Sequence, residues 1–319
     1  MITVNIVFPE GVPWTVGMGW AHDLSRMGLL SIAVIAKRGY EQQIVTTLKQ
    51  SPADLTIFIF GDTHLSFLID STSKTEQIRS IPGKKVCLCW EVVRNSRFGN
   101  ENPQLAFNAY DAFGWSNEVD LDYFLDAFPA KNHFFCPFAA TSNIFAENYL
   151  DFRKKKLKVL FYGKYTTFGL SDEIYKERRE MLTKLASKPW FVAIQNIDTT
   201  LSPTALHQVI NEHAFCIHLP SNNHFGFQPR AFEILTAGSV MLHPQLDQLK
   251  SPRSNSVLIP NIHYLPYEYD DSFPEKIEEL IFGLHIDRYH QIVSESVSHI
   301  QKYHSVESRV NQIIQSVFY

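Results

Sequence analysis

Short, continuously apolar runs alternate along this chain with longer segments of helical periodicity. Residues 3–8, 31–36, 55–61, 86–90, 112–115 and 133–136 each read as a strand apolar on both faces. Such runs, separated by helices, predict a parallel sheet covered on both sides. The pattern restarts at residues 157–163 and continues through 191–194, 214–219 and 239–243, with a capped helix expected from Ser171 to about Leu185. Two α/β domains follow, residues 1–152 and 153–319, with a boundary in the charged segment 151–156. Its Lys154-Lys155-Lys156 run reads as a solvated linker. From about Ser272 the chain turns helical, and Val306, Val310, Ile313, Ile314 and Val317 form an apolar packing stripe that returns to the domain junction.

The segment from Phe225 to Gly238 carries the most chemistry. Pro229 suits a first helical position and Gly238 a left-handed stop. Between them Ala231, Ile234, Leu235 and Gly238 share one face, while Arg230, Glu233 and Ala237 line another. A cation and a carboxylate one turn apart near a helix N-terminus suit a phosphorylated, hydroxyl-bearing ligand: Arg230 and the free N–H groups toward phosphate, Glu233 toward sugar hydroxyls. From this stretch alone a surface Arg–Glu pair is an equally good reading.

Composition narrows the partners. At 319 residues, 45% hydrophobic and 19% charged, the chain has the makeup of a globular protein with a substantial core. A formal net charge of -4 argues against a nucleic-acid partner. No apolar run approaches the ~20 residues of a membrane span, and no leader pattern precedes the first strand, so the expected compartment is the cytoplasm. Cys87, Cys89, Cys136 and Cys216 have neither zinc-site nor disulfide spacing and read as reduced core thiols.

The apolar strand followed by Pro229-Arg230-x-Phe232-Glu233 and Gly238, then another strand, resembles the donor domain of GT-B glycosyltransferases, and within them the spore-maturation-type group. Trp14 to Leu30, with Gly17, Gly19 and Gly28, is similar to the loop and first helix after strand one. His133 to Ala140 is similar to the segment leading toward the interdomain linker, and Phe161-Tyr162-Gly163-Lys164 to the first strand and phosphate-facing loop of the donor domain. The resemblance implies two doubly wound Rossmann-like domains facing a central cleft, a nucleotide-diphosphate sugar as donor substrate, no separate cofactor, and Glu233 on the nucleotide ribose. The chain departs from retaining members of the superfamily, which carry a second glutamate eight positions earlier; here that position is Phe225.

Donor-side candidates are Gly163, Lys164, Asn222, Gln228, Arg230, Phe232 and Glu233, with Arg178 or Arg179 as further cations for a diphosphate. On the acceptor side, polar residues follow the strands: Asp62 and His64 after the third and Glu91 after the fourth, where ligands of parallel sheets collect. Any of them also serves as a turn former. Asp120-Leu121-Asp122 has the look of a metal-binding Asp-x-Asp but opens a predicted helix, where aspartates favour the N-terminal dipole. The 13 histidines give no ligand spacing. The expected activity is therefore metal-independent glycosyl transfer to a small-molecule, glycan or lipid-linked acceptor; a nucleotide-sugar epimerase or a non-catalytic scaffold of the same architecture are the competing readings.

Overall fold

The computed structural model describes residues 2–12, 14–61, 63–90, 103–142, 149–163, 176–195, 201–219, 227–245, 257–268 and 270–319. It forms two compact units, Met1–Thr141 with Val306–Tyr319, and Ser142–Ser305. The division thus falls between Thr141 and Ser142, ahead of the 152/153 boundary expected from the charged segment, and the end of the chain returns to the first unit.

Unit 1 runs β1 (Val4–Pro9), α1 (Met18–Arg26), β2 (Leu30–Ala36), α2 (Glu41–Gln50), β3 (Leu55–Ile59), α3 (Thr72–Arg79), β4 (Lys84–Cys89), α4 (Pro103–Ala109), β5 (Ala112–Trp115), α5 (Glu118–Ala127) and β6 (Asn132–Phe135). The six strands pair in parallel in the order β2-β1-β3-β4-β5-β6. Every residue of β1, β3 and β5 is buried, as the unbroken apolar runs require of strands with both faces covered, whereas edge strand β2 is only partly buried. α5 starts two residues before Asp120. Its cap is Asn117, whose side chain accepts from the Asp120 N–H at 2.8 Å while its amide donates to Asp120 Oδ2 at 2.7 Å. Asp120 is fully buried in this reciprocal cap.

Unit 2 repeats the plan with β7 (Lys156–Tyr162), α6 (Lys176–Leu185), β8 (Phe191–Ile194), α7 (Pro203–Asn211), β9 (His213–Ile217), α8 (Pro229–Thr236), β10 (Val240–Pro244), β11 (Leu265–Tyr267), α9 (Phe273–Gly283) and α10 (Ile286–Tyr303). Its parallel sheet has the order β11-β10-β9-β7-β8. Counted from each unit's own first strand, unit 1 reads 2-1-3-4-5-6 and unit 2 reads 2-1-3-4-5, so each reverses direction between its first and third strands, the place where doubly wound sheets open a ligand crevice. β11 has no counterpart in the sequence reading: three residues with Pro266 at the centre carry too little pattern, and proline is tolerated because the strand lies at the sheet edge. α6 covers the second half of the helix expected from Ser171; residues 171–175 lie outside the described residues. The final helix, α11 (Val306–Phe318), packs on unit 1: Gln312 Nε2 donates to the Phe135 carbonyl at 2.6 Å, Asn132 Nδ2 to that of Ser316, and the Val306 N–H to Ala140 at 3.1 Å.

The lysine run is not a solvated linker. Lys155 is 8% exposed, and its ammonium donates to the Asn211 carbonyl at 2.6 Å, Asn211 Oδ1 at 2.8 Å and the Gly238 carbonyl at 3.0 Å. These acceptors sit where α7 and α8 end, so one buried cation serves two helix C-termini, where the dipole favours positive charge. Tyr289 Oη donates to the same Gly238 carbonyl at 2.9 Å. Gly238 holds φ +75°, and a Cβ there would lie 2.2 Å from the Tyr149 ring, so glycine is required on both counts.

Burial lowers the Lys155 ammonium from 10.5 to about 8. A lysine with a depressed folded pKa binds fewer protons in the folded than in the unfolded chain between those two values. Stability contributed at this site therefore rises with pH across that window. Urea unfolding of the parent and Lys155→Met should show the stability difference between them growing by on the order of 1–2 kcal/mol from about pH 7.5 to about pH 9.5. A difference that stays flat would mean the ammonium is solvated.

Candidate functional site

In unit 2 the end of β7 meets the start of α8. Tyr162 closes β7 and is fully buried; its hydroxyl donates to Glu233 Oε2 at 3.0 Å. Glu233 lies one turn into α8 and is 5% exposed, which removes the surface-pair reading of Arg230 and Glu233. Burial, and next the charge of Glu233, push the Tyr162 phenol well above its ordinary range. Tyr162 is thus a permanent donor, holding one carboxylate oxygen and fixing the orientation of the other.

Arg230 occupies the first turn of α8. Its guanidinium carbon stands 5.1 Å from the centre of the Tyr162 ring, a cation–π contact. Close to it is Gly163, at φ +130°, where a Cβ would come within 2.4 Å of Nη2. The glycine admits the guanidinium against the backbone at the end of β7, and its φ is one that side-chain-bearing residues rarely adopt. Among the described residues no side-chain capping hydrogen bond is formed at the N-terminus of α8, whose N-cap is half-buried Gln228 and whose first residue is Pro229. The positive end of a helix favours an anion. Together these groups form a small donor-rich surface beside an oriented carboxylate, at the strand reversal of the sheet.

Other candidates fall into place differently. Phe232 is fully buried and packs near the His304 ring at 5.7 Å, so it anchors α8 and offers a ligand no surface. Arg178, 4% exposed, donates to the Leu219 carbonyl at 2.6 Å and braces the chain leaving β9. Lys164 and Asn222 lie outside the described residues. The sequence reading did not single out Tyr162, nor the buried imidazoles of His218 and His243, which stack 4.9 Å apart at the ends of β9 and β10. His243 Nδ1 meets the Pro244 carbonyl at 2.6 Å, and burial holds its pKa down at about 4, so the ring is neutral and structural.

In unit 1 the corresponding strand ends carry His64, which is exposed, while Asp62 and Glu91 lie outside the described residues. His64 meets the edge of Phe60 at 5.3 Å, and Phe60 meets Trp90 at 5.8 Å. Phe60 sits at φ +57°, an unfavourable backbone for a bulky residue, directly after β3. Trp20, Trp90 and Trp115 are buried core residues, not an exposed stacking surface. Among the described residues no group of three or more His, Cys, Asp or Glu is arranged to hold a metal ion, and no helix is long and apolar enough to cross a membrane.

Comparison with known proteins adds the lineage. A family model described as glycosyl transferase-like matches residues 155–315. No curated protein matches the chain in sequence. Among solved structures, an alpha-glucosyltransferase in complex with UDP-glucose and DNA containing an abasic site superposes with a TM-score of 0.67 at 8% identity, covering 100% of both chains. Sucrose-phosphate synthase from Thermosynechococcus elongatus gives 0.63 at 10% identity over 99% of this chain and 98% of that one. Anabaena HepE in complex with UDP-glucose gives 0.60 at 11% over 99% of each. At such identities the likeness is one of fold, and that fold is the α/β, GT-B type with two Rossmann-like domains. The family match spans half the sequence and takes in Tyr162, Gly163, Arg230 and Glu233, and with it the chain belongs to the glycosyl transferase-like family.

Proposed function

We propose that this protein transfers a hexosyl group from a nucleotide-diphosphate sugar to a small-molecule, glycan or lipid-linked acceptor, without a metal ion. The observation that carries this reading is the position of Arg230. A cation in the first turn of a helix opposes the helix dipole, and here it lies close to both Gly163 and the Tyr162 ring. A diphosphate resolves that conflict, since guanidinium and backbone N–H groups both complement its oxygens. When the bond between the anomeric carbon and the diphosphate breaks, negative charge grows on the leaving group, and those donors stabilise it in place of a divalent ion. Glu233, oriented by Tyr162, accepts from the ribose hydroxyls.

Gly163, Lys164, Asn222 and Gln228 complete the donor side. Glu91, His64 and Asp62 serve the acceptor. The net charge of -4 favours an acceptor other than a nucleic acid. The spore-maturation-type resemblance rests on the spacing of Arg230, Phe232, Glu233 and Gly238 and supports the same donor chemistry.

Calorimetric titration with nucleoside, nucleoside diphosphate and donor sugar tests the assignment. Glu233→Ala should weaken all three by roughly tenfold to a hundredfold, the worth of about 1.5–3 kcal/mol for a charged acceptor. Arg230→Ala should weaken the two diphosphates and spare the nucleoside. Parent-like binding by both folded variants would remove the donor site from α8.

Gly163→Ala changes no charge yet displaces the guanidinium, so it should reproduce the Arg230→Ala pattern in the same titration. Undiminished diphosphate affinity would show that the contact of Arg230 with Gly163 is dispensable. Finally, transfer measured by release of nucleoside diphosphate should persist in excess EDTA. Its abolition, with recovery on adding manganese or magnesium, would overturn the metal-free scheme.

A further inference from the structure

At the amino ends of β4, β5 and β6, opposite the strand ends considered above, unit 1 has a partly open cavity of about 310 Å³. Arg79, Lys85, Asn108, Tyr110, Asp111 and Lys131 line it. Arg79 ends α3, Lys85 is the second residue of β4, Asp111 precedes β5 and Lys131 precedes β6. The lining holds three cations and one carboxylate.

That carboxylate is already committed. Asp111 Oδ2 accepts from the Lys85 N–H at 2.8 Å and stands 3.5 Å from the Lys85 ammonium. Lys85 in turn donates to the carbonyls of Gly83 at 2.7 Å and Ile81 at 3.2 Å. Lys131 donates to the Tyr110 carbonyl at 3.3 Å, a neutral partner, and among the described residues neither Lys131 nor Arg79 forms an ion pair. Burial lowers the Lys131 pKa, Asp111 raises it in part, and the charge of Arg79 lowers it further. Two like charges therefore share a polar, partly enclosed space without a counter-charge of their own. Asn108 adds an amide whose oxygen accepts from Gln104 at 3.1 Å, which turns its N–H groups toward other acceptors.

We infer that this cavity binds a polyvalent oxyanion of the phosphate class, held by the Arg79 guanidinium and the Lys131 ammonium, with Asn108 as an added donor. A planar fork beside a compact point charge is the donor set that phosphate oxygens match, and a divalent anion leaves the site neutral. The volume suits inorganic phosphate, diphosphate or a phosphoryl group on a small molecule. All of its lining residues belong to unit 1.

The test uses the full chain carrying Arg230→Ala, which silences the proposed diphosphate contact in unit 2. Inorganic phosphate and diphosphate are titrated calorimetrically against this protein, and against the same protein with Arg79→Gln and Lys131→Gln added, with potassium chloride at matched ionic strength as the control. Saturable binding to the first and at least tenfold weaker binding to the second are expected, with Lys131→Arg restoring most of the affinity. Circular dichroism and melting temperature show that the variants fold. Absence of saturable phosphate binding, equal binding to the doubly neutralised protein, or an equal response to chloride would each overturn the inference. Preference between phosphate and diphosphate identifies whether one or two phosphoryl groups are accommodated.

Discussion

The geometry of the candidate site depends on a cation that never touches it. Lys155 places its ammonium among carbonyls at the ends of α7 and α8. Taking that charge out of water is costly, and three close acceptors with two helix dipoles offset part of the cost. The Gly238 carbonyl, shared with Tyr289, fixes the C-terminal end of α8. A helix anchored at that end has one direction in which to lay its first turn, and this brings Glu233 under the Tyr162 hydroxyl and Arg230 onto Gly163.

Charge is thus distributed along α8 in a consistent way. Its C-terminal end receives the buried ammonium, its interior carries a buried carboxylate with a neutral donor, and its N-terminal turn presents a cation to the crevice. The first two arrangements are satisfied within the protein. Arg230 stacks on the Tyr162 ring. A cation in the first turn opposes the helix dipole, and local conflicts of this kind tend to fall at functional places.

Much of the fold was legible because buried parallel strands advertise themselves as unbroken apolar runs, and ten of the eleven named strands coincide with such a run or overlap it. β11 carried no such run. Arg230, Glu233 and Gly163 were legible because helix capping and strand-end glycines have local signatures. What stayed hidden was non-local. Tyr162 and Glu233 are 71 residues apart, and nothing near either announces their hydrogen bond. Lys155 sits between two other lysines, and only the fold distinguishes the one that turns inward. Phe232 illustrates the reverse error: it lies between two candidate residues along the chain, whereas its side of the helix faces the core.

The packing of α11 against β6 also has a consequence for the order of assembly. Residues 142–305 form unit 2 as one continuous stretch, whereas unit 1 is split around it, with Val306–Phe318 supplied last. During synthesis, which runs from the N-terminus, the second unit has all of its strands before the first has its closing helix. The usual N-to-C order of domain completion is therefore inverted. Until α11 is made, the outer face of β6 and the carbonyls of Phe135 and Ala140 await their partners. The nascent first unit is the one in need of protection from premature association.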